Sequence, residues 1–415
     1  MTATPLSANA RAFVLVAVFL GLLFDGFELG LMPVASLSVS RSLLGDAFTP
    51  ASGGDWFARF TAALMLGAAV GGISLGALGD RIGRARAMGV SILFYSIFAA
   101  LGGAVRTQEE MLLSRFLVGL GVGGMWPNGI ALVSECWQGA SKPLVSGVMM
   151  AGLNVGILLL SQLARLWPIT ADAWRWIFHL AGFPAALGLL VLCLLPESPR
   201  WLASRGDTRP ANAPLRTLFS PDLLRHTVMG VLLSSIPMVG AWAASKWMIP
   251  WADQVAKNID PGYKAATQGW WSMGAIAGSV LGAQLAVWLG RRVSYCAISL
   301  AALISTVALF QLSAPLEPGF QAIVLAQGIA STLFFGWLAV YLPELYPVHV
   351  RATGSGMAYN TGRFATAFGV LAAGALFTAL GGSYPRVGTA MACIYGLGII
   401  AIWWAPATDS LEKAA

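Results

Sequence analysis

Charged residues are scarce in this sequence: they make up 10% of its 415 residues, against about 25% in an ordinary soluble domain. The chain has only four cysteines and three histidines, and their wide spacing matches neither a disulfide framework nor a zinc site. A Gly-Lys-Ser/Thr phosphate loop is also missing. These absences exclude an ordinary soluble domain, argue against a metal centre, and predict a protein without a cofactor.

Hydrophobic residues, by contrast, make up 57% of the chain and form runs of about 20 residues, enough to cross a hydrocarbon core of roughly 30 Å. The runs predict an all-α polytopic membrane protein with twelve transmembrane helices in a lipid bilayer. The first run contains Asp25 and Glu28 and has no small-residue cleavage site after it, so we interpret it as a retained helix and not a signal peptide. The predicted spans are residues 12–34, 56–79, 87–105, 111–134, 143–166, 174–195, 226–250, 267–289, 293–313, 319–342, 352–380 and 385–405.

A polar stretch rich in Arg and Pro separates the first six spans from the last six. It predicts an N-terminal bundle at residues 1–196, a cytoplasmic linker at 197–225 and a C-terminal bundle at 226–415. An internal repeat supports this division, because the spacing from Glu135 to Lys142 recurs from Glu344 to Arg351, about half a chain length later. Duplicated halves with a site between them are a known plan for membrane transporters.

The loop charges predict the orientation of the chain. With both termini in the cytoplasm, the cytoplasmic loops carry more Lys and Arg than the outer loops, as the positive-inside rule requires. The net charge of +7 is explained by these loops and does not indicate a nucleic-acid partner. Short loops and the lack of an Asn-x-Ser/Thr acceptor suit a multi-pass protein of a bacterial cell inner membrane.

Two acidic residues lie about halfway along the first span. A charge at that depth is costly, so an ionisable residue there is a candidate for function. Asp25 and Glu28 are three residues apart and therefore share one helix face. Two close carboxylates in a low dielectric resist joint ionisation, so we expect one of them to bind a proton and to couple transport to it. A static ion pair with a neighbouring helix is the alternative.

Basic and amide side chains also lie within the spans. Arg363, near the middle of the eleventh span, keeps its charge and needs either a protein carboxylate or an anionic substrate. Arg115, near the outer end of the fourth span, and Lys246, late in the seventh, can either snorkel to the surface or face a cavity. Asn154 and Asn360 are mid-helix amides that suit interhelical hydrogen bonds. The three basic groups outnumber the acids, which favours an anionic substrate.

Aromatic and small residues form two further patterns. One is a tryptophan cluster near the outer ends of the seventh and eighth spans, which is typical of an interfacial belt but also suits an aromatic wall around a substrate, with Trp242 as the deepest candidate. The other is the glycine run Gly119–Gly124, which predicts close helix packing. The tryptophans are Trp242, Trp247, Trp251, Trp270 and Trp271.

The loop between the second and third spans carries a specific motif. Its sequence is GALGDRIGRAR from Gly76 to Arg86, with Asp80, Arg81, Arg84 and Arg86 as its charged positions. It resembles the signature loop of the major facilitator superfamily. The second copy, ending Gly-Arg-Arg at Arg292, has lost the acidic residue, so only the first half can make that residue's contact.

Other motifs resemble subfamilies of that superfamily. Asp25-Gly-Phe-Glu28 and the run from Arg115 to Asn128 resemble the aromatic acid:proton symporters, with Glu28 in place of the usual second Asp. The stretch from Pro343 to Arg363 resembles the sialate and lactate:proton symporters, and residues 196–201 (PESPRW) resemble the sugar porters.

The resemblance implies the major facilitator fold, with two pseudo-symmetric six-helix bundles whose first, fourth, seventh and tenth helices line a central cavity. It implies a monomer that is not an enzyme and that moves a small organic anion, a mono- or aromatic carboxylate, together with a proton. A sugar or polyol:proton symporter, a cation or drug exporter, and a non-transporting sensor remain as alternatives. The candidate substrate-binding or proton-coupling residues are Asp25, Glu28, Arg115, Asn128, Asn154, Trp242, Lys246, Asn360 and Arg363.

A set of charges at the cytoplasmic ends of the spans is the candidate gate. Opposite charges on the two bundles can pair across them only when the bundles close on the inside, so we expect these groups to stabilise the outward-open state. The gate residues are Asp80, Arg81, Arg84, Glu135, Lys142, Glu344 and Arg351.

Overall fold

The computed structural model describes residues 6–137, 142–204, 213–347 and 350–406, and within these residues the regular structure is helical, without strands. The helices long enough to cross a membrane are α1 Ala8–Leu44, α2 Pro50–Ile82, α3 Arg84–Gly102, α4 Gln108–Cys136, α5 Lys142–Leu166, α6 Arg175–Leu194, α7 Pro221–Ala256, α8 Tyr263–Trp288, α9 Arg291–Gln311, α10 Phe320–Glu344, α11 Arg351–Ala379 and α12 Tyr384–Ala401. Each of the twelve overlaps one predicted span.

Eleven of these helices are apolar enough to span a membrane by composition as well as length. The remaining helix, α8, has 26 residues, which at 1.5 Å per residue also exceeds a hydrocarbon core of roughly 30 Å. The prediction of a polytopic all-α protein is therefore confirmed.

The helices pack as two bundles, α1–α6 and α7–α12. Inside each bundle the corresponding pairs are in extensive contact, α2 with α4 and α8 with α10. Between the bundles, α5 packs on α8 and α2 packs on α11. The segment between the bundles contains short helices at Pro199–Ser204 and Ala213–Leu218. The bundle boundaries at residues 196 and 226 stay a prediction.

Glycines set the closest helix contacts. A Cβ on Gly119 or Gly123 of α4 would collide with backbone atoms of α2, so the glycine run packs closely as predicted. On the other side of the N-terminal bundle, Gly26 of α1 lies against the backbone of Leu153, and Gly156 of α5 lies against that of Leu23. This crossing fixes the depth at which Asp25 and Glu28 stand relative to α5.

The α1–α5 crossing gives a stability prediction. Gly156→Ala puts a methyl group into the carbonyl of Leu23, and we expect a loss of about 1–3 kcal/mol in the free energy of unfolding. Gly396→Ala in α12 is the matched control, because no atom lies within 4 Å of the added Cβ. Thermal unfolding in detergent compares the two variants. Equal unfolding temperatures would contradict the close crossing.

Helix α7 is interrupted inside the membrane region. Pro237 cannot donate to the carbonyl of Leu233, and the Tyr295 hydroxyl donates to that carbonyl instead, at 2.9 Å. A π-helical turn follows at Gly240–Ala244 and a 3₁₀ turn at Ser245–Trp247, before the helix resumes at Met248. Irregular turns of this kind often occur at functional sites, because they redirect side chains. Here they redirect Trp242 and Lys246.

Candidate functional site

A cavity with an empty volume of about 760 Å³ lies between the two bundles. Its walls differ in character. The N-terminal bundle supplies Leu29, Met65, Ala68, Val122, Met150, Leu153, Asn154 and Ile157. The C-terminal bundle supplies Met238, Ala241, Trp242, Lys246, Trp271, Thr332, Phe335, Tyr359, Arg363 and Thr366. The first wall is almost wholly apolar, whereas the second carries both of the cavity's cationic side chains.

Lys246 is buried, with 1% of its surface exposed, and so does not snorkel. Its ammonium nitrogen lies 3.2 Å from the ring centre of Trp271 and 5.9 Å from that of Trp242. Within the described residues this nitrogen has no hydrogen-bond partner. A buried cation held on two aromatic faces is therefore presented to the cavity without a protein anion at hydrogen-bond distance.

Trp271 is a site residue that the sequence patterns did not single out from its cluster. Its indole nitrogen donates to Oε1 of Gln327 at 2.8 Å, and Nε2 of Gln327 donates to Ser245 and, at 3.2 Å, to Thr306. The side-chain amide of Gln327, on α10, thus holds both the Trp271 ring and Ser245, the residue that precedes Lys246. The expected interfacial belt is wrong for Trp247, Trp251 and Trp271, which are all buried.

Arg363 lines the same cavity from α11. One guanidinium nitrogen donates to the carbonyl of Ala68 at 3.0 Å and to Oδ1 of Asn360 at 3.5 Å, and the group lies 5.5 Å from the ring centre of Tyr359. The Ala68 contact joins α11 to α2 across the two bundles. Asp25 is close enough to Arg363 to interact with it electrostatically.

The acids of α1 stand behind the cavity, inside the N-terminal bundle. Glu28 and Arg115 are both fully buried and form an ion pair with the oxygen and nitrogen 3.4 Å apart. Of the two alternatives for Arg115, snorkelling is therefore wrong, since the depth of α4 in the bundle places its guanidinium against Glu28 and the ring of Phe178. Asp25 is buried beside this pair, and its Oδ1 has no hydrogen-bond partner within the described residues.

The three amides of the prediction have different surroundings. Asn154 lines the cavity, and its amide donates to Ser279 of α8 at 2.9 Å. Asn128 lies away from the cavity and ties α4 to α2 through the carbonyl of Leu75 at 3.0 Å. Asn360 is buried next to the cavity wall and accepts from Arg363. Interhelical hydrogen bonding thus accounts for Asn128 and Asn154.

The face at which α1 begins and α12 ends, here the terminal face, carries the predicted gate. Arg84 pairs with Asp80 at 2.5 Å and with Glu135 at 3.9 Å, all in the N-terminal bundle. Glu135 also accepts from the hydroxyl of Ser198. Arg81 is exposed. Pairing of these charges across the bundles stays a prediction.

The C-terminal bundle has its own charge pair at this face. Glu344 makes a two-point pair with Arg291, at 2.6 and 2.9 Å, and Arg291 was not among the predicted gate residues. Arg351 is exposed and donates to the carbonyl of Tyr346. The side chain of Lys142 lies outside the described part of the structure. The described ion pairs at the terminal face therefore join residues of the same bundle.

The opposite end of the molecule, here the far face, is closed by an ion pair and by hydrogen bonds between the bundles. Asp253 of α7 binds Arg41 of α1 at 2.8 Å and Lys264 of α8 at 2.9 Å. Lys264 also donates to Ser38 and to the carbonyl of Ile169, both at 2.9 Å. Asp253 and Lys264 are buried. No sequence pattern pointed to this group, which we call the far-face latch.

Known proteins share this architecture. A solved structure of the Escherichia coli xylose transporter in a partially occluded inward open conformation superposes with a TM-score of 0.73 over 95% of this chain and 98% of that one, at 19% identity. At that identity the likeness concerns the fold alone.

Curated relatives are similar along most of their length. A "Probable 4-methylmuconolactone transporter" of Cupriavidus pinatubonensis is 29% identical over 83% of this chain and 80% of its own. The "3-(3-hydroxy-phenyl)propionate transporter" of Escherichia coli is 27% identical over 90% of this chain and 89% of its own. The chain is thus similar to membrane transporters of small organic molecules. Since residues 14–365 match the family model of the Major Facilitator Superfamily, the chain belongs to that family.

Proposed function

We propose that the protein is a proton-coupled symporter of a small organic anion, a mono- or aromatic carboxylate, and that it works by alternating access. The observation that carries the proposal is the buried cation in the cavity, since Lys246 has no hydrogen-bond partner within the described residues. A buried charge is normally paired, and an anionic substrate completes the pair. The name of one similar transporter, for 3-(3-hydroxy-phenyl)propionate, supports the same substrate class.

Proton coupling is assigned to Asp25, with Glu28 as its neighbour. Both carboxylates are buried at mid-depth, where an ionisable residue is a candidate relay. When Asp25 is ionised it opposes the charge of Arg363, and when it binds a proton the cavity becomes more positive. An anion is then bound more favourably, so proton and anion travel together.

The alternatives fit the cavity less well. A cation or drug would meet Lys246 and Arg363, which repel it. A sugar needs hydrogen-bonding groups on several sides, whereas the wall of the N-terminal bundle offers one amide, and that amide already donates to Ser279. The amide of Gln327 is likewise used by Trp271 and Ser245.

The conformation suits one step of alternating access. An ion pair joins the bundles at the far face, while the described pairs of the terminal face stay within each bundle. We assign the terminal face to the cytoplasm of a bacterial inner membrane, in agreement with the loop charges, and the present state to the inward-facing one. The protein acts as a monomer in this proposal, because each chain contains a complete cavity.

Uptake into proteoliposomes tests the proposal. We expect labelled benzoate or lactate to accumulate when an inward proton gradient is imposed and not without it, while labelled glucose is not taken up. Accumulation of glucose alone would favour the sugar symporter. No accumulation of any acid would overturn the proposed function.

The coupling residue has its own prediction. Asp25→Asn removes the proton-binding group, so we expect loss of uphill accumulation with counterflow exchange retained, because exchange needs no net proton movement. Asp46→Asn, an exposed carboxylate in the turn after α1, is the matched control. Full gradient-driven accumulation by the Asp25→Asn protein would remove this residue from the coupling step.

A further inference from the structure

The cavity contains one cation that the protein does not neutralise. Among the five charged side chains at or behind the cavity, Glu28 pairs with Arg115, and Asp25 interacts electrostatically with Arg363. Lys246 remains, and its nitrogen has no hydrogen-bond partner within the described residues. Its contact with the Trp271 ring does not offset the loss of water around a full charge.

The position of Lys246 is fixed by the helix geometry and by hydrogen bonds around it. The irregular turns that interrupt α7 direct this residue toward the cavity. The Ser245 hydroxyl stabilises them by donating to the carbonyl of Gly240 at 3.2 Å. Gln327 binds both Ser245 and the Trp271 indole, so one amide holds the lysine's backbone and its aromatic support. A side chain that only filled space would not need these constraints.

The opposite wall defines the rest of the ligand. Leu29, Met65, Val122 and Leu153 face the cavity from the N-terminal bundle, and the single amide on that wall is already bonded to Ser279. A ligand that meets Lys246 with an anionic group therefore places an apolar body against this wall. On the other side Trp242 lines the cavity, and its indole suits a flat unsaturated body, since such rings favour stacking.

We propose that Lys246 is the anchor for the carboxylate of a flat, apolar monocarboxylic acid and that it sets the preference for acids with one carboxylate. Arg363 is not a second anchor, because its guanidinium already donates to the carbonyl of Ala68 and to Oδ1 of Asn360. This inference rests on the proposed function. It adds which residue binds the substrate's charge, how many carboxylates the substrate carries, and what shape its apolar part has.

Binding of matched acids and amides tests the anchor. The probes are benzoate, 3-phenylpropionate, their neutral amides, and terephthalate, which carries a second carboxylate; binding to the protein in lipid nanodiscs is measured by calorimetry. We expect the wild type to prefer each monoacid over its amide by about 30-fold or more, as for a buried charge pair. Lys246→Met should abolish that preference, and Lys246→Arg should keep part of it. Lys257→Met, at an exposed lysine just beyond α7, should behave as the wild type.

The stability of the empty protein gives a second readout. Because Lys246→Met removes an unpaired buried charge, we expect the ligand-free variant to unfold at the same temperature as the wild type or higher, which also shows that it folds. Unchanged benzoate binding by Lys246→Met, or tighter binding of terephthalate than of benzoate, overturns the inference. If the wild type takes up acids and Lys246→Met does so equally, only the anchor fails; if the wild type neither binds nor takes up any acid, the proposed function fails with it.

Discussion

Replacing Glu28 by Gln is expected to lower the free energy of unfolding by about 3–5 kcal/mol, the usual cost of removing one partner from a buried ion pair. Glu28 and Arg115 have 1% and 0% of their side chains exposed, so neither charge can turn to water when the other is removed. The arginine would then be left with the weak support of Ser114 and the Phe178 ring. Denaturant unfolding in detergent micelles measures the loss.

A double variant separates the pair's contribution to stability from its contribution to transport. Glu28→Gln with Arg115→Met removes both charges, and an apolar replacement of a buried pair is often neutral or stabilising, so we expect most of the lost stability to return. We expect no recovery of proton-driven uptake, because the acid next to Asp25 is still missing. Recovery of both properties would show that the pair is only structural.

An exposed ion pair provides the control. Asp55→Asn breaks the pair between Asp55 and Arg59, one turn apart on α2, whose side chains are 34% and 49% exposed. The expected cost is at most about 1 kcal/mol, because water screens the pair. If Glu28→Gln were no more costly than this control, Glu28 would already carry a proton in the resting protein, and the assignment of a charged pair would be wrong.

The twelve spans could be predicted because the cost of exposing polar groups to lipid acts on each segment separately. The interruption of α7 was not predicted, although Pro237 and Gly240 mark it. Their effect depends on the Tyr295 hydroxyl and the Tyr395 ring, which reach α7 from α9 and α12. Local sequence gives the weak point of a helix, whereas tertiary contacts decide the shape it takes there.

The ionisable residues of the site were predicted for the same reason as the spans, but their partners were not. Hydropathy shows that the charges of Arg115 and Lys246 are costly to place within a membrane span. It cannot tell which partner a neighbouring helix supplies, a carboxylate for Arg115 or an aromatic ring for Lys246. Trp271 and Gln327 belong to the site through contacts between α8 and α10. A side-chain contact of this kind leaves no periodic signal.

The internal repeat holds information that was not fully used. Arg84 and Glu135 pair in the N-terminal bundle, and the residues at the corresponding repeat positions, Arg291 and Glu344, pair in the C-terminal bundle. The repeat therefore predicts the second pair once the first is known. The second loop lacks a counterpart of Asp80, but the pair of Arg291 and Glu344 does not need that residue and is therefore kept.

The far-face latch gives the second large effect. Asp253 neutralises two cations at once, Arg41 from one bundle and Lys264 from the other, and it is buried between them. Asp253→Asn leaves two like charges close together in the closed state only. The state that is closed at the far face should therefore lose about 3–5 kcal/mol relative to the state that is open there, which changes the population ratio by about 100-fold or more toward the open state.

A thiol reporter can follow this shift. Ser161 of α5 is buried and accepts from Gln268 of α8 at 3.2 Å, so it becomes accessible only when the bundles separate at the far face. In a cysteine-free background in nanodiscs, Ser161→Cys should react slowly with a polar thiol reagent in the parent protein and rapidly with Asp253→Asn added. Arg41→Gln should have a smaller effect, because it leaves Lys264 paired with Asp253. Asp46→Asn, an exposed acid near the same end of α1, should have none. A reporter that stays slow in the Asp253→Asn protein would show that these charges do not hold the far face closed.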